Sequence, residues 1–420
     1  MTSFRFIHAA DLHLDSPCKG IGQRLPEMAR RRLQEATFTA CERLVQLCIE
    51  ERVDFLCIAG DVYDLADRSL RAQTFFQKKM RELAAHGIHV YVCHGNHDPA
   101  DGGQIPLTWP DNVHFFSTEE VEAVPFIKGG REVARVYGRS YPTAKFTERI
   151  VQDYVREPDV PFAIGVLHTN LDGDQAHDNY APSTRHELFA QGFDYWALGH
   201  IHKRAVVHAG DPYIVYAGNT QGRSVKESGA KGCTLVDVSD GHIDRVAFCA
   251  TDDVRMFSPE VDLTDVNDMQ QGIDLILESL QKSARCAEGR AAVVRLYLTG
   301  RTDLHSALKP ADSLLELLDP YLEDFMLQED WLCVESVVVR TQPVISRETL
   351  LSEDSFLGDF LRLVEQAESS AEQLESLKKD VLNDVFMHRE ARKHLEQLTE
   401  DETKRLLQEA KDLTLQLFLK

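Results

Sequence analysis

Along the first 250 residues, short apolar runs alternate with stretches whose apolar side chains recur at helical spacing. Residues 4–9, 55–59, 90–94, 162–167 and 195–198 are nearly continuous in Val, Ile, Leu, Phe, Ala and Cys, the pattern of strands covered on both faces. Between the first two, 29–51 sets Leu44, Leu47 and Cys48 on one helical face. Between the second and third, 72–85 repeats that spacing. The alternation predicts an α/β fold.

From about 251 the texture changes. Helix-like 268–283 precedes a β-rich run at 291–299, and helix-like 313–318 precedes another at 333–340, which predicts a small α+β domain. Past Pro343 the chain is almost wholly helix-forming, with Ser352 as a candidate N-cap. Leu357, Phe360, Leu361 and Val364 share one helical face, and Leu406, Leu407, Leu413, Leu417 and Phe418 supply a later apolar set. The expected division is 1–250, 251–343 and 344–420.

Composition narrows the setting. No apolar run approaches the ~18 residues a membrane-spanning helix needs, and the first residues lack a basic-then-apolar leader pattern. The nine cysteines are scattered singly without a C-x-x-C, as suits reduced thiols. A cytoplasmic protein is expected. The formal charge of −22 bears on partners, because a chain that grips nucleic acid by its own surface needs a basic patch. Were nucleic acid the substrate, either basic residues would cluster locally beside a metal-neutralised site, or a partner would hold the nucleic acid.

The candidate chemistry lies where the predicted strands end. Asp11 and His13 follow the first and Gly60-Asp61-Val62-Tyr63-Asp64 the second. Gly95-Asn96-His97-Asp98 follows the third, His168 the fourth, and Gly199-His200-Ile201-His202 the fifth. Ligands of open α/β sheets bind beyond the carboxyl ends of strands, so five such ends would gather carboxylates, an amide and imidazoles. Mixed oxygen and nitrogen donors suit manganese, iron or zinc better than calcium. Asp11 and His13, like His200 and His202, are two apart, which in extended chain points both side chains the same way. Each motif alone reads equally as a turn or polar loop. Their recurrence at five predicted strand ends carries the metal-site reading.

The string D-x-H, G-D-x-x-D, G-N-H-D, strand-terminal His and G-H-x-H resembles the calcineurin-like metallophosphoesterases, and within them the SbcD-type DNA double-strand-break nucleases. Residues 6–17 (FIHAADLHLDSP), 179–182 (NYAP), 195–202 (YWALGHIH) and 229–233 (GAKGC) resemble the YhaO-type bacterial DNA repair exonuclease branch. The resemblance covers about residues 4–240. It implies a β-sandwich flanked by helices, then an α+β capping domain and a helical partner-binding segment. It implies that Asp11, His13 and His202 hold one divalent ion, that Asn96, His168 and His200 hold a second, and that Asp61 bridges both. Manganese is the first choice, with iron or zinc as alternatives. His97 would be the general acid rather than a ligand. Asp64, three residues after Asp61, is read as the carboxylate that orients it, or else as a turn or capping residue. Some nucleases of this group have Gly where this chain has Asp15, read here as a hydrogen-bond acceptor behind the ligands. Arg223 and Lys231 are weaker phosphate-binding candidates. His8, His94 and Trp196 read as structural.

The activity implied is metal-dependent exo- or endonucleolytic cleavage of DNA in repair, with an SMC-like or AAA-type ATPase gripped by 344–420. Alternatives are a small-molecule phosphatase or cyclic-nucleotide phosphodiesterase, and a metal-bound scaffold subunit. Homodimer formation is left open.

Overall fold

Phe6, Phe55, Tyr91, Ile164 and Tyr195 are buried in one core, and they come from two different sheets. The computed structural model describes residues 3–21, 25–64, 69–101, 105–173, 178–309, 311–344, 350–351, 355–386 and 399–418. The candidate cap Ser352 lies outside them.

In chain order the strands are β1 (Ser3–Ala9), β2 (Phe55–Ala59), β3 (His89–Cys93), β4 (Val113–Phe115), β5 (Glu122–Lys128) and β6 (Arg131–Gly138). They continue with β7 (Ala163–His168), β8 (Tyr195–Gly199), β9 (Ala205–His208), β10 (Tyr213–Tyr216), β11 (Gly232–Ser239) and β12 (His242–Ala250). One six-stranded sheet runs β12-β11-β1-β2-β3-β4 and the other β5-β6-β7-β8-β10-β9. In the first, β1 to β4 are parallel and β11 and β12 add antiparallel strands. In the second, β6, β7, β8 and β10 are parallel between antiparallel edges.

Alternation along β1 shows how the layers form. Phe4 and Phe6 face the inter-sheet core, whereas Ile7 and Ala9 face helices α1 (Glu27–Glu50) and α2 (Leu70–Ala85). Phe6 stacks on Phe55 with ring centroids 5.1 Å apart, worth about 0.5–1.5 kcal/mol beyond the area buried. On the far side of the second sheet, Leu167, Trp196 and Ile214 pack against Ile150 and Leu188, the latter on α3 (Arg185–Ala190). The Trp196 indole N–H donates to the Leu188 carbonyl at 3.2 Å. Core strands therefore read as continuous apolar runs. Half-exposed β12, with Asp244 and Arg245, lacks that signal, and the sequence pattern does not predict it.

The chain forms two compact units. The first comprises Met1–Pro259, Leu277–Leu296 and Asp319–Ser336, and the second Glu260–Ile276, Tyr297–Leu318 and Val337–Lys420. The sandwich lies wholly in the first. Beyond it come β13 (Val254–Phe257), β14 (Glu260–Asp262), α4 (Met269–Cys286), β15 (Ala291–Thr299), α5 (Ala311–Met326) and β16 (Leu332–Val339). The helix expected at 313–318 runs on to Met326, with Pro320 inside it.

The C-terminal segment contains α6 (Phe356–Ser369), α7 (Ala371–Phe386) and α8 (Glu400–Phe418). Leu350, Leu361 and Leu415 form a small core with Leu351 and Leu357 against it, and Val364 is also buried. Leu357, Leu361 and Val364, which the sequence places on one helical face, are used inside the segment's own packing. Among the described residues of these helices, the exposed large apolar side chains are Phe356, Leu363, Leu406, Leu413, Leu417 and Phe418.

Candidate metal centre

Because β1 and β2 are parallel neighbours, the chain leaving one runs beside the chain leaving the other. Asp11 N–H donates to the Gly60 carbonyl and His13 N–H to that of Asp61, each at 3.0 Å. The Asp98 carboxylate accepts the N–H groups of Asp61 (3.1 Å), Val62 (2.8 Å) and Gly95 (2.7 Å), pinning the β2 and β3 loops together. His200 N–H points between both Asp11 carboxylate oxygens at 3.2 Å, joining the second sheet to the first.

These residues are not in extended chain. Asp11, His13, Asp61 and His200 have φ of 52°, 44°, 54° and 96°. Non-glycine residues held at positive φ carry about 1–3 kcal/mol of strain each, which the surrounding bonds must offset. The two-residue spacing thus aims its side chains by tight turning, correcting the extended-chain reading. Glycine is required where the sheet ends meet. A Cβ on Gly95 would lie 2.3 Å from Asp61 Oδ1, and one on Gly199 1.8 Å from the Ala59 carbonyl oxygen.

Hydrogen bonds to acceptor-only oxygens fix several imidazole tautomers. His168 Nδ1 donates to the Ala59 carbonyl at 2.9 Å, so its bare Nε2 sits 3.0 Å from Asn96 Oδ1 and 3.5 Å from Asp61 Oδ2. His202 Nδ1 donates to Glu227 Oε1 at 2.6 Å, leaving Nε2 3.1 Å from His13 Nε2. His13 Nε2 is 3.7 Å from Asp61 Oδ2. His200 Nε2 donates to the Asp178 carbonyl at 3.0 Å, and its ring lies 5.2 Å from that of His168. The donor atoms of Asp11, His13 and His202 lie within 4.8 Å of one another, as do those of Asp11, Asp61 and His168. His200 belongs to neither group, and Asn96 borders the second through its Oδ1, 3.0 Å from His168 Nε2.

This donor set fits divalent cations. His168 Nε2 and Asn96 Oδ1 turn lone pairs on each other, and His13 Nδ1 is buried with no hydrogen-bond partner among the described residues. Burial, and then repulsion from Asp61, holds the Asp11 carboxyl well above the usual carboxylate range; burial also raises Asp61. Burial drives His13 well below the ordinary imidazole value and His168 to about 4. Uncompensated buried carboxylates facing neutral imidazoles are the groups a cation stabilises.

His97 stands at the edge of this cluster. Its N–H donates to Asp61 Oδ1 at 2.8 Å, and its Nδ1 lies 3.3 Å from Asp64 Oδ1. Burial works against its charge, but the Asp64 hydrogen bond and the charges of Asp61 and Asp64 outweigh it and raise its pKa. The same hydrogen bond lowers that of Asp64. Asp64 Oδ2 also accepts from Ser16 Oγ at 3.1 Å and lies 3.8 Å from Arg223 Nη1. His13, Asp64 and His97 form a third close group of donor atoms.

The remaining candidates fall outside the ligand cluster. Asp15 is an acceptor, but from Ser69 Oγ at the start of α2, so it anchors a helix instead of backing a ligand. Buried Lys231 donates to the His202 carbonyl at 3.1 Å. His8 is a bonded core residue between Tyr195 Oη and the Leu198 carbonyl. Two contributors were missed from sequence. Asp98 was visible inside G-N-H-D without an assigned role. Glu227 belongs to no motif, and only the folded loop reveals its contact.

The calcineurin-like phosphoesterase family matches residues 4–204, and the middle domain of metallophosphoesterase YhaO matches 258–342. Metallophosphoesterase YhaO of Bacillus subtilis (strain 168) is 37% identical over 410 residues, covering 98% of this chain and 97% of that one. The chain belongs to the calcineurin-like metallophosphoesterases, in their YhaO-type branch. This metallophosphoesterase is also similar to the SbcD component of the SbcCD nuclease from the same organism, at 24% identity over 56% of this chain and 67% of that one. The DNA double-strand break repair protein Mre11 of Methanopyrus kandleri is 27% identical over 47% of this chain and 44% of its own. The chain is thus a phosphoester hydrolase of a family that uses a dinuclear metal site, and its clustered Asp and His donors are candidate ligands for such a site. No helix among the described residues is long and apolar enough to cross a membrane.

Proposed function

We propose that this metallophosphoesterase is a DNA exo- or endonuclease that cleaves phosphodiester bonds during repair. The observation that carries the reading is the convergence of five strand ends on one cluster, with the His97–Asp64 pair at its edge. Asp11, His13 and His202 would hold one ion and Asn96, His168 and His200 the other, with Asp61 shared. Bound there, two divalent ions, manganese first among them, supply Lewis-acid activation of the phosphate and of water. The chain's own residues supply the rest. Asp98 holds the loops that aim Asp61. His97 gives Nδ1 to Asp64, which leaves Nε2 to protonate the departing sugar oxygen. Asp64 keeps that imidazole chargeable beside two cations.

DNA as substrate is supported by the likeness to SbcD of the SbcCD nuclease and to Mre11, and by the chain that continues beyond the sandwich. The charge of −22 favours help in holding DNA. The C-terminal segment is suited to recruiting it, because it exposes Phe356 and Phe418, ring centroids 5.0 Å apart, with Leu413 and Leu417. Its partner would be an SMC-like ATPase.

Purified protein with manganese, offered single-stranded DNA, double-stranded DNA and a small phosphodiester, tests the reading. Cleavage of DNA that stops in excess chelator is expected. Hydrolysis of the small diester alone would make this a small-molecule phosphodiesterase. Full activity after chelation and dialysis would remove the metal mechanism altogether.

A chain ending at Val344 should retain small-diester hydrolysis, since the sandwich is untouched and Gln342 keeps its bonds to Gly300 and Thr302. It should lose ATPase co-purification. Undiminished co-purification would rule out the C-terminal helices as the docking element.

A further inference from the structure

We infer that Glu227 is a positioning residue that sets the protonation pattern of His202 and ties that ligand to the loop carrying Arg223. Glu227 lies in the connection between β10 and β11, far in sequence from every ligand motif. Its Oε1 accepts His202 Nδ1–H at 2.6 Å. Its Oε2 accepts the Arg223 backbone N–H at 2.7 Å and Asn219 Nδ2–H at 3.0 Å. All three partners are donors, so the position calls for a carboxylate rather than an amide.

The consequence for His202 follows from proton placement. A carboxylate can only accept, so Nδ1 keeps the hydrogen and, in the neutral ring, Nε2 presents a lone pair toward His13 Nε2 at 3.1 Å. A carboxylate behind a ligating imidazole fixes both its tautomer and its orientation. The second arm reaches further. The backbone of Arg223 is held by Glu227, while its guanidinium donates to Ser16 Oγ at 3.0 Å, and Ser16 Oγ donates to Asp64. One carboxylate thus aligns a ligand of the first ion and, through Arg223 and Ser16, the residue that orients His97.

Glu227→Gln preserves shape and separates these functions. A glutamine satisfies Arg223 N–H and Asn219 Nδ2–H by turning its carbonyl oxygen toward them. Its NH2 then faces His202 Nδ1, which must become an acceptor, and the ring hydrogen moves to Nε2, where it blocks metal binding.

The inference rests on His202 being a metal ligand, and the experiment keeps the two claims apart. Manganese is titrated calorimetrically into the metal-free full-length protein and into Glu227→Gln. The unaltered protein should take up two ions. The variant should bind one of them with roughly 10- to 100-fold weaker affinity and the other unchanged. Its turnover should recover as manganese is raised, which a misfolded protein would not do. Nitrogen NMR of the metal-free unaltered protein, which needs no variant, should find His202 protonated at Nδ1. Equal affinities in the two proteins, equal weakening of both ions, or a neutral His202 carrying its hydrogen on Nε2 instead of Nδ1 would each overturn the role of Glu227. Failure of the unaltered protein to bind two ions would overturn the ligand reading itself, and this inference with it.

Discussion

Asp61→Asn should remove nearly all hydrolytic activity and most of the bound metal, yet stabilise the metal-free protein. Asp61 sits between the two groups of donors, with Oδ2 3.7 Å from His13 Nε2 and 3.5 Å from His168 Nε2. Replacing its charge weakens the attraction for both ions at once. Metal-ion catalysis contributes several kcal/mol, and at ~1.4 kcal/mol per tenfold that is roughly a thousandfold or more in rate. The asparagine Oδ1 can still accept His97 N–H, so the loop should survive. Without metal, the buried Asp61 carboxylate is destabilising when ionised, as its raised pKa records. Its neutral substitute should therefore unfold at a higher temperature. Elemental analysis, turnover and a melt of the metal-free proteins measure the three parts. Unaltered metal content would show that Asp61 bridges nothing.

His97→Ala should behave in the opposite way, keeping both ions while losing about 10²–10⁴-fold in turnover, the range typical of a general acid. The side chain is partly exposed and its imidazole bonds to Asp64, so removing it leaves every proposed ligand in place. The loss should shrink on a substrate whose leaving group departs without protonation. The companion change Asp64→Asn tests the pair through pH. The Asp64 carboxylate favours protonated His97, so removing its charge lowers the His97 pKa. An acid must be protonated to act, and the alkaline limb of the rate profile should therefore move to lower pH. Metal loss in His97→Ala equal to that in Asp61→Asn would make His97 a ligand. An unchanged profile in Asp64→Asn would leave Asp64 as a loop residue.

Much of this protein is legible in its amino-acid sequence, for a physical reason that applies to particular elements. Strands β1, β2, β3, β7 and β8 are covered on both faces, so their apolar runs are contiguous and readable. The candidate metal-binding side chains here are Asp, His and Asn residues just beyond strand ends, so the chain spells them in short motifs. The sequence by itself thus determined the class of fold, the main elements of the sandwich and the residues at its strand ends. It did not determine β12, whose half-exposed face dilutes the apolar signal. It predicted an extended chain at Asp11 and His13, whereas tertiary hydrogen bonds hold both at positive φ. It set Leu357 and Leu361 on one apolar helical face, but only the folded segment shows that Leu361 is buried and Leu357 packed against it. Only the tertiary structure made Asp98 the clasp of two loops and put Glu227 behind His202. A ligand's identity is local chemistry, written where it stands. The hydrogen-bond partner that orients it is chosen by loop closure across tens of residues, and no short stretch of chain encodes that choice.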